Sequence, residues 1–145
     1  MTSWRDTASA SAQNDLDGLL NLVLPRAQEL LGKNGQFYPF GASVSTDGEA
    51  SLTASDAGLG EHPQPERVLA GVYDSARATA GENRAVAFVS DVLIEGSDAV
   101  QVELEHRDGI ALVVLVPYKP ATLKRVPTFS DMTVAPGEPR VWTAS

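Results

Sequence analysis

The chain reads as an α+β domain built on one antiparallel sheet, and three features carry that reading. Arg84 to Pro120 parses as three consecutive strands joined by two tight turns. Upstream lies a hairpin centred on Asp47-Gly48. Each of the two units is preceded by a stretch whose apolar residues recur at helical spacing. The order is α-β-β-α-β-β-β followed by an irregular tail. It predicts a sheet of about five strands with two helices packed on it.

Residues 1–13 are mostly small and polar, with Trp4 alone among them, and read as a mobile N-terminal arm. The first helix runs from Asn14 or Asp15 to Leu31, with Leu16, Leu20, Val23, Ala27 and Leu30 on one face. Asn14 suits its N-cap, and Gly32 suits the left-handed position that follows a helix. Pro25 should kink this helix near Asn21, because proline has no N–H and crowds the carbonyl one turn back. Alternatively the helix proper starts at Pro25.

Phe40, Ala42 and Val44 alternate with Gly41, Ser43 and Ser45, the period of a half-buried strand. Ala50, Leu52 and Ala54 continue it after the turn. Small side chains along this hairpin suggest that a helix lies close over it. Ser55 to Gln64 reads as a loop, and Pro65 opens the second helix, whose face is Val68, Leu69, Val72, Tyr73 and Ala76 and whose stop is Gly81.

Ala85 to Ile94 is nearly all apolar, so it is buried on both faces for part of its length. In the next strand Val100, Val102, Leu104 and His106 point one way and Gln101, Glu103 and Glu105 the other. Ile110 to Val116 is apolar throughout and reads as a central strand ended by Pro117 and Pro120. Residues 14–120 form the single domain. Residues 121–145 contain Pro127, Pro136 and Pro139 and read as an extended tail packed on it, with one short strand near Thr128 to Val134.

Composition bounds the function. At 145 residues and 43% apolar content the chain has enough sequence for one core. It has no cysteine, which removes disulfides, thiol nucleophiles and cysteine metal sites. No apolar run has the length of a membrane span, and the first residues lack the apolar core of a secretory signal. The expectation is a cytoplasmic protein, and the excess of arginine over lysine with abundant alanine suggests a bacterial source. A net charge of −8 disfavours nucleic acid and favours a basic partner, or serves solubility.

No motif for metal, nucleotide or nucleophilic catalysis is present. His62 and His106 have no ligand at metal spacing, Gly58-Leu59-Gly60 lacks the third glycine of a dinucleotide loop, and no serine elbow occurs. No cofactor or metal is therefore expected. His106 reads as a core-edge histidine bonded to a backbone carbonyl, or as a pocket residue working with Glu105 or Asp108. Glu103 and Glu105 read as a solvated face, with acid–base work or docking of a basic partner as the sharper alternatives. Tyr118, Lys119, Lys124 and Arg125 form the one basic concentration, a solvated edge or a phosphate or acidic-patch contact. Phe37, Tyr38 and Phe40 read as core, with a ligand groove as the alternative.

Roadblock and other profilin-like domains share the element order but usually close with a third helix, against which the tail prolines argue. Glu29-Leu30-Leu31 with Gly35 to Ala42 (GQFYPFGA), Val102 to Gly109 (VELEHRDG) with Val116-Pro117-Tyr118, and Glu138 to Trp142 (EPRVW) together resemble a family of small stand-alone bacterial proteins. The resemblance covers most of residues 16–142. It implies a free-standing domain and brings no activity or site residue with it. The leading expectation is a non-enzymatic protein-binding domain that forms a homodimer. The alternatives are an acidic inhibitor or immunity-type protein against a basic toxin or enzyme, and a small-molecule binder or enzyme with its pocket near His106, between the second helix and the sheet.

Overall fold

The computed structural model describes residues 4–53, 64–120, 122 and 126–142. Among them are three α-helices, one 3₁₀ turn and seven strands: α1 (Trp4–Thr7), α2 (Ala10–Asn34), β1 (Phe40–Ser45), β2 (Ala50–Thr53), α3 (Pro65–Ala78), the 3₁₀ turn Ala80–Glu82, β3 (Asn83–Ile94), β4 (Ser97–His106), β5 (Ile110–Lys119), β6 (Thr128–Phe129) and β7 (Thr133–Pro136). The α+β class holds. The sheet runs β2-β1-β3-β4-β5, and β6 and β7 both pair with β5. Every pairing is antiparallel.

The strand count exceeds the expected five because the tail supplies β6 and β7. Both lie along the β5 edge, with Tyr118 opposite Phe129 and Val114 opposite Val134. β5 also continues through Pro117, which lies opposite Ala99, to Lys119. The Pro117–Lys119 end of β5 is thus covered by the chain itself.

The N-terminal segment, expected as an arm to residue 13, holds α1 and the first turn of α2. Ser9 caps α2, its Oγ accepting the Ala12 N–H at 3.0 Å. Trp4 packs against the core, and Arg5 pairs with Asp17 at 2.8 Å. Alanine and serine without apolar periodicity concealed this start, although alanine favours helix strongly. α2 ends at Gly35 (φ +74°), three residues beyond the expected stop, and runs as one helix past Pro25.

α2 and α3 cover opposite faces. Leu16, Leu19, Val23, Ala27 and Leu31 of α2 pack with Ala85, Ala87, Val89, Val102, Leu104 and Val114. The other face is smaller: Val72 of α3 packs on Val86 and Phe88, together with Val141 and Trp142 of the tail. The chain beyond β7 therefore completes the α3 layer.

Candidate functional site

Alternation along β4 puts Glu103 and Glu105 on the α3 face, as the sequence implies. That face is not solvated there. The two glutamates are 6% and 3% exposed, so the reading as a solvated face is corrected: the tail lies across them. Glu105 accepts three successive backbone N–H groups, from Arg140 (2.7 Å), Val141 (3.0 Å) and Trp142 (2.8 Å). Glu103 accepts the Tyr73 hydroxyl and the Arg140 Nε–H at 3.0 Å. Arg77 closes the clamp by donating Nε–H to the Arg140 carbonyl at 2.7 Å. Burial and the hydrogen bond to Glu103 push the Tyr73 phenol well above its ordinary value. These carboxylates hold a segment of chain.

His106 lies on the α2 face and is 3% exposed. Its Nδ1 accepts the Asp108 N–H at 3.1 Å, so the proton sits on Nε2, which donates to Asp15 at 3.0 Å. The partner is the Asp15 carboxylate of α2, not a backbone carbonyl. Glu105 points to the opposite face, while the Asp108 carboxylate approaches Nδ1 at 3.5 Å. Arg84 Nη2 reaches the second Asp15 oxygen at 2.9 Å, and its Nε is buried with no partner among the described residues. Burial pushes the Asp15 carboxyl up, but the hydrogen bonds from Arg84 and His106 and the Arg84 charge outweigh it and hold the group below the ordinary aspartate value. With both ring nitrogens engaged, His106 is placed to lock α2 to the sheet.

The remaining expected site residues do not assemble. Tyr118 is buried on the α2 face and donates to Asp91 at 2.6 Å. Burial first, then Asp91, push its phenol up. Lys119 is exposed at the end of β5. Lys124 and Arg125 lie outside the described residues, as do His62 and Gly58-Leu59-Gly60. No cluster of three or more metal-ligating side chains occurs among the described residues.

Two concavities stand out among the described residues. One is an apolar groove of about 740 Å³ between the C-terminal half of α2 and β2, lined by Leu30, Phe37, Tyr38, Phe40 and Leu52 with Arg26 at its side. Phe40 is core, in edge contact with Phe37 at 5.7 Å, whereas Tyr38 is 43% exposed. Phe40 and Phe37 thus pack in or against the core, and all three aromatics line the groove. The second concavity is a cleft of about 310 Å³ between α3 and the sheet. It matches the expected position between that helix and the sheet, but His106 is not in its lining. The expectation that the small hairpin residues bring a helix close holds at Gly41, where an added Cβ would lie 2.9 Å from Val72. Beside it, at Ser43, the same smallness leaves the cleft.

Comparison with protein-family models, curated proteins and solved structures finds no match for this chain. No helix among the described residues is long and apolar enough to cross a membrane.

Proposed function

We propose that the protein is a non-enzymatic protein-binding domain that associates with a second copy of itself through the β2 edge. The supporting observation is the pairing of an open edge with an apolar groove. β2 pairs with β1 alone among the described residues, and all four of its residues are exposed. Ala50, Ser51, Leu52 and Thr53 include no charge and no proline, the devices that usually block edge pairing. On the other side β6 and β7 cover β5 and form the edge there, which ends in Pro136. Beside β2 the groove exposes Tyr38 and Leu52. Strand addition supplies main-chain hydrogen bonds there, and the groove supplies apolar contact. Two β2 edges related by a two-fold axis satisfy each other, and closed symmetric dimers are the commonest assembly.

The polar clusters support a non-catalytic reading, since Glu103, Glu105 and His106 are each engaged in internal contacts. At −8 per chain, two copies repel at long range, so the contact is mainly apolar and salt leaves it intact or tightens it. Light scattering on the full chain at tens of micromolar should give a dimer. Leu52→Lys should give a monomer with an unchanged circular dichroism spectrum. A wild-type monomer overturns self-association and turns the edge toward a different protein partner.

A further inference from the structure

We propose that the cleft between α3 and the sheet is a binding site for a small uncharged polyhydroxylated ligand of about monosaccharide size. This goes beyond the β2-edge reading, with which it shares only Thr53. The cleft holds about 310 Å³, roughly ten water volumes. None of its lining residues is charged, so an ionic ligand would lose hydration without meeting a counter-charge.

The polar residues that line it come from four elements. The Ser43 hydroxyl comes from β1, Thr53 from β2 and Ser75 from α3. None of these three hydroxyls has a hydrogen-bond partner among the described residues. Asn83, at the start of β3, spends its amide N–H on Thr79 and leaves Oδ1 open as an acceptor. Each free hydroxyl both donates and accepts, which matches a ligand made of hydroxyls. Val72, Val86 and Phe88 provide the apolar wall against which the C–H face of such a ligand packs.

Gly71 supplies the second, independent observation. It sits inside α3, where glycine is less favourable than any residue but proline. A Cβ built there meets nothing within 4 Å, so packing does not require the glycine. It lines the cleft, where its lack of a side chain leaves bare helix backbone as part of the wall. Gly41 is different: a Cβ there would lie 2.8 Å from Thr53 Oγ1, which explains it by packing alone.

The test titrates D-glucose, D-ribose and, as a flat hydrogen-bonding control, uracil into the ¹⁵N-labelled full chain. With either sugar, amide shifts should saturate and concentrate at Gly41, Ser43, Gly71, Ser75 and Asn83. Gly71→Ala should raise the melting temperature yet weaken sugar binding about tenfold or more, the effect of one added methyl in a pocket. Ser43→Ala should weaken binding by a smaller factor with the fold unchanged. Absence of saturable shifts with both sugars overturns the proposal, as does binding of uracil alone. Unaltered sugar affinity in Gly71→Ala also overturns it, because the ligand is then elsewhere. None of these readouts depends on whether the protein is a dimer.

Discussion

Replacing Glu105 with alanine should free the C-terminal segment and destabilise the fold by about 3 kcal/mol, well above the effect of an exposed glutamate. The carboxylate accepts three backbone N–H groups at 2.7–3.0 Å from a position that is 3% exposed. Hydrogen bonds to a charged group contribute about 1.5–3 kcal/mol each, which sets a gross loss of several kcal/mol. Two effects reduce it. The released donors regain water, and residues 140–142 regain backbone freedom at about 1–2 kcal/mol each. One effect adds to it: Val141 and Trp142 lose their contact with Val86 and Phe88. Urea denaturation measures the net change. Trp142 fluorescence reports the tail directly in a Trp4→Phe background, since the chain has two tryptophans. Undocking should shift the emission to the red before global unfolding. Glu105→Gln keeps one acceptor oxygen and should fall between wild type and alanine. A loss below about 0.5 kcal/mol with unchanged Trp142 emission would refute the reasoning, because the tail would then be held by apolar contact alone.

Asp15→Ala leaves His106 and Arg84 without their shared acceptor and should cost about 3 kcal/mol by chemical denaturation at neutral pH. The folded Asp15 carboxyl sits below its ordinary value, so its contribution is present above the ordinary aspartate range and is lost as pH falls through the folded value. The wild type should therefore lose stability on acidification more steeply than the variant, and parallel acid curves would count against the pairing. Asp91 behaves in the opposite sense: burial raises it, the Tyr118 hydrogen bond lowers it, and Asp98 raises it again, for a net upward displacement. Asp91→Asn keeps an acceptor for Tyr118 and should raise the melting temperature at neutral pH. That gain should fade at acid pH, where the aspartate is itself neutral. A lower melting temperature at neutral pH would mean that the charge is favoured where it stands.

The sheet was legible because its signal is local. Alternation in β1 and β4, the Asp47-Gly48 and Asp108-Gly109 turns, and Pro65 at the start of α3 each follow from chemistry within a few residues. Gly48 and Gly109 indeed adopt positive φ. The misplaced boundaries have equally local causes. Ala10 to Gln13 offers helix propensity without an apolar face, and Pro117 lies within a pairing strand that a proline rule would end. β6 and β7 are too short to show a period. They exist because the β5 edge is there to receive them, and that is a tertiary fact.

The burial of Glu103 and Glu105 and the partner of His106 escape the sequence for one shared reason, which is that each is decided by a group far along the chain. Glu105 sits 35 residues from Arg140, and His106 sits 91 from Asp15. Strand alternation correctly placed Glu103 and Glu105 opposite the main core, and from there solvation is the simplest inference. What reverses it is a segment rich in proline and glycine with no periodicity of its own. Its information lies in its backbone N–H groups, which every non-proline residue has and no composition reveals. A trace was nonetheless present: Arg140-Val141-Trp142 joins a cation to two apolar residues after a proline-containing stretch, a combination better suited to docking than to solvation. The same reasoning separates the two concavities. The aromatic run at Phe37 to Phe40 announced the groove beside β2. The cleft under α3 is marked by what is missing, at Gly71 and Ser43, and an absent side chain becomes a feature when the element facing it is known.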